Sequence, residues 1–232
     1  DYDFMPVIYG ENMTSNNVGK GIAEFVGTFF LTLTIFVAAV SGFAGGFAPI
    51  AIGLTLMVMI YALGHVSGAH FNPAVTIGLF IKGDCDKDEV PFYIVPQIIA
   101  GILAFFIGSE LVLNGVSSNL IGGEITEMQF ESTVSVLAAE ALWTFALMFV
   151  IINVATEQSG NQFYGAAIGL TVMAGAFTVG NISLGSFNPA VTTMLLVSGK
   201  MAIADCWMHF IPQIAGAIAA VYVHKIMISE NE

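Results

Sequence analysis

Phe71-Asn72-Pro73-Ala74-Val75-Thr76 decides the reading of this chain, because it recurs unchanged as Phe187-Asn188-Pro189-Ala190-Val191-Thr192. The offset of 116 residues also carries Ala23-Glu24 onto Ala139-Glu140 and Thr28-Phe29 onto Thr144-Phe145. It carries Ala51-Ile52-Gly53-Leu54-Thr55 onto Ala167-Ile168-Gly169-Leu170-Thr171, and Pro96-Gln97-Ile98 onto Pro212-Gln213-Ile214. One structural unit is therefore used twice. Asn is a good N-cap, and proline suits the first helical position because it needs no amide partner. Both copies thus read as helix starts. Each start opens only a short apolar piece, from Pro73 to Ile81 before Lys82-Gly83 and from Pro189 to Ser198 before Gly199. At about 1.5 Å per residue, such a helix covers roughly half of a bilayer's hydrocarbon.

Bilayer is the relevant solvent. The chain of 232 residues is 56% hydrophobic and only 9% charged, where a soluble domain carries about 25% charged residues. Its mean hydropathy is +0.86. The apolar runs do not alternate as barrel strands would. Six segments reach the roughly 20 apolar residues that a spanning helix needs: 21–41, 48–66, 91–113, 133–154, 165–181 and 203–228. Residues 1–19 are acidic and polar, without the apolar core of a secretory signal, and read as a disordered tail. Residues 20–228 read as a single domain, with one repeat over about 20–113 and the other over about 133–228.

Three spans per repeat is an odd number, so the second copy must enter the membrane from the opposite side. The result is an inverted repeat about a pseudo-two-fold axis in the membrane plane. An N-terminus on the inside puts Lys20, Lys82, Lys87 and Lys225 in the cytoplasm and only Lys200 outside, which fits the positive-inside tendency. Both termini are then cytoplasmic.

The short pieces carry the functional argument. Neither can span, so irregular backbone must join each to its neighbour near the midplane. Such backbone is tolerated at that depth only inside protein or along a water-filled cavity. Two half-helices pointing their N-termini at each other would place positive dipole ends, each about half an elementary charge, at the centre. Asn72 and Asn188 would add side-chain NH2 donors there. Water could pass by accepting from both, and the central potential would oppose cations.

Other classes recede. The net charge of −12 sits mostly in the ends and loops, which argues against nucleic acid as a partner. Cys85 and Cys206 have neither disulfide density nor metal spacing. No nucleophile–base pair or metal cluster stands out, so no enzyme, metal or cofactor is expected. Inverted repeats also build alternating-access transporters, but those usually need charged ligands at the midplane. Glu24 and Glu140 are intramembrane carboxylates and so functional candidates by default. A proton relay would need a chain of ionisable partners, which is missing. They read better as acceptors that hold the irregular loops. His65 and His70 flank the first loop and are expected as further hydrogen-bond partners, with His70 also facing the cytoplasmic half of a lumen. Two histidines alone do not make a zinc site.

With both Asn-Pro-Ala motifs, the preceding Gly64-His65-Val66-Ser67-Gly68-Ala69-His70-Phe71, the Ala-Glu pairs and the six-plus-two layout, the chain resembles the aquaporin (major intrinsic protein) family over about residues 20–228. The resemblance implies an all-α membrane fold, six transmembrane helices and two re-entrant half-helices in a right-handed bundle. It implies a pore in each subunit of a homotetramer, conducting water and in some members glycerol, urea or ammonia.

The chain departs from that family at the narrow outer filter. Most members place an arginine three residues after the second Asn; here the position is Val191, and all five basic residues are lysines. Carrying over the other filter positions gives Ile52, Ala176 and Gly185. This set fits neither the water-selective pattern nor the glycerol-facilitator pattern, where an Asp follows the arginine and this chain has Thr192. Before the sixth-span Pro-Gln stands Met208-His209, again outside both patterns. The expectation is a wide apolar filter passing water and small neutral solutes. A gated or non-conducting structural protein of the same fold is the alternative.

Overall fold

The computed structural model describes residues 16–117, 120, 122 and 124–229. Eight α-helices are described: α1 (Asn17–Thr34), α2 (Ala48–Ser67), α3 (Pro73–Lys82), α4 (Val90–Ile107), α5 (Thr133–Ile151), α6 (Tyr164–Ser183), α7 (Pro189–Val197) and α8 (Trp207–Ser229). No strand occurs among the described residues. With their adjoining π or 3-10 turns, six of these helices form apolar spans: Asn17–Val40, Gly45–Ser67, Val90–Val112, Thr133–Thr156, Tyr164–Ser183 and Ile203–Ser229. They match the six segments expected from hydropathy to within a few residues. The expected tail is corrected at its inner end. Asn16 Oδ1 accepts from Gly19 N at 2.8 Å, which starts α1 at Asn17; residues 1–15 lie outside the described set.

The repeat governs the packing. α1 lies on α4 and α5 lies on α8, the equivalent pair. α2 crosses α6, its own repeat mate. At that crossing, a Cβ added to Gly53 would sit 2.7 Å from the Gly169 carbonyl oxygen, and one added to Gly169 would sit 2.5 Å from that of Gly53. Only glycine on both sides lets the two backbones meet, as small residues do in membrane bundles. α7 packs on α4 and α3 on α8, so each half-helix is clasped by the fourth helix of the other repeat.

Contacts at the two ends sort the loops onto two faces. On one face Lys20 pairs with Glu89, Lys225 Nζ donates to Ile81 O at 3.3 Å, and Lys82 bridges Asp84 and Glu157 at 2.8 Å each. This face carries the start of α1 and the end of α8. On the opposite face Gly122 N donates to Ser41 O at 2.7 Å and Met128 N to Lys200 O at 2.9 Å.

The Lys82–Glu157 pair ties the α5–α6 loop to the tip of α3, and His224 Nε2 lies 3.3 Å from the same Glu157 oxygen. The hydrogen bond from Lys82 holds the exposed Glu157 carboxyl below its ordinary value of 4.5. Partial burial works against the charge of Lys82, but hydrogen bonds and the charges of Asp84 and Glu157 outweigh it and raise its pKa. A lowered carboxylate pKa contributes order that is full above the ordinary glutamate value and lost as pH falls through the folded one. Amides of residues 157–163 should therefore exchange faster with solvent, after correction for intrinsic rates, once pH drops below about 4.5. Glu157→Gln should show the same loss of protection at neutral pH. Equal protection factors in the variant and the parent at pH 7 would refute the tie.

Candidate functional site

Each half-helix begins with a built cap. Asn72 Oδ1 accepts from Ala74 N and Asn188 Oδ1 from Ala190 N, both at 2.9 Å. Proline follows each as the first helical residue. The same two amides join the halves: Asn72 Nδ2 donates to Phe187 O and Asn188 Nδ2 to Phe71 O, both at 2.8 Å. The two helix starts therefore meet tip to tip. This refines the expectation of free donors. One proton of each NH2 group is committed across the repeat axis, leaving one apiece to face the lumen.

The loops before these caps are strained. Phe71 and Phe187 adopt φ of 48° and 50°, and Ala69 and Leu184 adopt 55° and 67°. Bulky residues are rare there, and such geometry persists only where surroundings over-determine it. Glu24 supplies that constraint in the first repeat. It accepts from Ser67 Oγ at 2.6 Å, His70 N at 3.0 Å, Phe71 N at 2.7 Å and Gln97 Nε2 at 2.7 Å. Glu140 accepts from the equivalent Ser183 Oγ at 2.6 Å, Ser186 N at 3.1 Å, Phe187 N at 2.8 Å and Gln213 Nε2 at 2.8 Å. Both carboxylates are fully buried.

Several members of these networks escaped the sequence reading. Gln97 and Gln213 also donate to Thr76 and Thr192, at 3.1 and 3.0 Å; their place in the repeat was the available signal. Tyr93 Oη donates to Ser67 O at 2.6 Å, and at the equivalent position His209 Nε2 lies 2.7 Å from Ser183 O. A carbonyl can only accept, so Nε2 carries the proton. Unlike side chains do one job there, which a search for identical residues cannot see.

The two histidines part company. His70 places Nδ1 3.1 Å from Thr76 Oγ1, packs its ring 4.4 Å from Tyr93 and lines the cavity described below. The expected loop-holding role of His65 is corrected. It lies exposed in the last turn of α2, and no side-chain hydrogen bond forms there among the described residues. The periodicity of α2 turns His65 outward, and Ser67 does the work from the inward face.

A cavity of about 470 Å³ runs along the axis. Asn72 and Asn188 line its middle, with His70, Ile60 and Ile168 toward the face bearing the termini. Ile52, Ala176, Gly185 and Val191 line it together, toward the face that bears Met128 and Lys200. The four positions carried over from the family pattern thus border one space. Among the described lining residues there is no carboxylate, and Lys200 is the single lysine.

The profile of the major intrinsic protein family matches residues 11–177 and 153–232. The chain belongs to that family. This major intrinsic protein is 35% identical over 221 residues to a glycerol uptake facilitator protein-like protein of Lactiplantibacillus plantarum, covering 91% of this chain and 99% of the other. It is 33% identical over 233 residues to aquaporin Z of Photorhabdus laumondii, covering 92% and 99%. Its fold matches the aquaglyceroporin from Plasmodium falciparum with a TM-score of 0.76 at 21% identity, over 92% of this chain and 97% of that one. Family members are passive channels for water and small solutes rather than enzymes. This chain is accordingly an integral, multi-pass membrane channel.

Proposed function

We propose that this channel passes water together with small neutral solutes of the size of glycerol, urea and ammonia. One observation carries the reading: the four positions that correspond to the family's filter, Ile52, Ala176, Gly185 and Val191, all border the lumen. None has a side-chain donor or a fixed charge, and two of the four are alanine and glycine. Small side chains leave width, and the absence of a bidentate donor removes the selection that an arginine imposes. At the centre, the remaining amide protons of Asn72 and Asn188 offer water a pair of donors, and the two helix dipoles oppose cations. Both termini are placed in the cytoplasm, following the lysine distribution. A homotetramer, as in the family, would cover part of the apolar outer surface that Phe30, Leu54, Phe106 and Leu142 expose.

Stopped-flow light scattering on reconstituted vesicles tests this. Water, urea and glycerol fluxes should all exceed those of empty vesicles, and none should saturate or require an ion gradient. Faster water flux with both larger solutes excluded would refute the wide filter. Solute fluxes equal to those of empty vesicles throughout would favour the non-conducting alternative.

A further inference from the structure

We propose that Lys200 is the specificity-determining charge of this pore, standing in for the cation that the filter lacks. The proposal rests on the conducting reading above and goes beyond it. Val191 leaves the lumen wall without a cation at the usual height, and the chain contains no arginine. Lys200 follows α7 on the face away from the termini and lines the same cavity as Val191, Gly185 and Ala176.

Its ammonium is held in place. Nζ donates to Thr126 O at 3.1 Å, while the backbone carbonyl of Lys200 accepts from Met128 N at 2.9 Å. Residues 126–128 are thereby fastened to the segment after α7, and the tether fixes where the charge stands. Among the described residues no carboxylate lies within ion-pairing distance of Nζ. Thr126 takes one of three protons, so the ammonium keeps two donors and its full positive charge beside a cavity that Lys200 helps to line. A neutral carbonyl orients that charge without cancelling it.

The consequence concerns charge rather than size. An apolar wall offers a partly desolvated cation nothing in return, and a fixed like charge at the mouth raises its cost further. Neutral solutes do not feel that term. Weak bases should therefore cross as the free base, and their protonated forms should be turned back at Lys200 before they reach the helix dipoles.

Urea and guanidinium separate the two effects, because they are planar and nearly equal in size but differ by one charge. Fluxes of both are measured in vesicles containing the parent, K200M, K200Q and K200R. The guanidinium-to-urea ratio should rise about tenfold in K200M and K200Q and stay at the parent value in K200R. K200Q retains a donor for Thr126 O, so its rise would assign the effect to charge rather than to the tether. In the parent, raising salt from about 0.01 M to 1 M shortens the Debye length from about 30 Å to 3 Å and should raise the same ratio. That measurement needs no variant to fold. An unchanged ratio in both neutral variants, or equal rises in both fluxes, would overturn the proposal. If the parent passes no urea, the proposed solute range fails by itself. Lys200 is then judged on guanidinium alone: admission by K200M supports its role, and continued exclusion overturns it.

Discussion

Glu24→Ala should cost the channel its folded pore, lowering its melting temperature in detergent by about 10 °C and cutting water flux per protein to that of empty vesicles. The carboxylate takes four donors, from Ser67, His70, Phe71 and Gln97. The Ser67 hydroxyl can turn elsewhere, and Gln97 already has a second acceptor in Thr76. The backbone N–H groups of His70 and Phe71 cannot turn, and both residues are buried. Each buried donor left without an acceptor costs about 1–3 kcal/mol. Removing the carboxylate also relieves a buried charge, but that charge is compensated by its four donors, so the relief is smaller than the loss. The strain at Phe71, with φ at 48°, then has nothing to oppose it. Once that residue relaxes, its carbonyl leaves Asn188 Nδ2, and the contact between the half-helices opens from one side. Glu24→Gln keeps one oxygen but turns an NH2 toward the donors, and should fall between parent and Ala. A melting point for Glu24→Ala within about 2 °C of the parent would show that the loop holds itself.

The repeat makes much of this architecture legible in the sequence itself. Two copies of Phe-Asn-Pro-Ala-Val-Thr state the helix starts, their depth and their opposition. Hydropathy supplies the six spans, because lipid leaves a spanning backbone few options. Glu24 and Glu140 were legible as acceptors because a carboxylate at that depth must find donors or a cation. Their partners were less so. Ser67 and Ser183 sit where α2 and α6 end, and nothing in a helix-ending serine announces what it will meet. The commitment of Asn72 Nδ2 to Phe187 O is a contact between residues 115 apart in sequence. It depends on how closely the two tips approach, which Gly53 and Gly169 help to set at the crossing of α2 and α6. His65 looked like part of the loop because it is near in sequence, yet helical phase sends it outward. Lys200 read as a lone outside lysine. Only the fold-back after α7 brings it to the lumen, and no periodicity encodes that turn.

Val191→Arg should narrow the solute range, lowering the urea-to-water flux ratio at least about tenfold while water flux stays within a few-fold of the parent. Residue 191 lies in the first turn of α7 and is 3% exposed, bordering the cavity with Ile52, Ala176 and Gly185. Arginine adds a longer stem and a planar group with five donors. The stem takes up width, and a difference of one methylene in a fitted apolar site is already worth about 10-fold or more in discrimination. Water is small enough to pass and can accept from the new donors, so it loses less than urea does. The same substitution tests the logic of the outer charge. An arginine at the filter places a permanent cation beside the lumen, so the leak of guanidinium expected in K200M should disappear when Val191→Arg is added. The two positions would then be alternatives for one task, and their effects on the guanidinium-to-urea ratio would fail to add, as expected for coupled sites. An unaltered urea-to-water ratio in Val191→Arg would place the selective constriction elsewhere along the cavity. The next position to substitute would then be Ile60 or Ile168, toward the face that carries the termini.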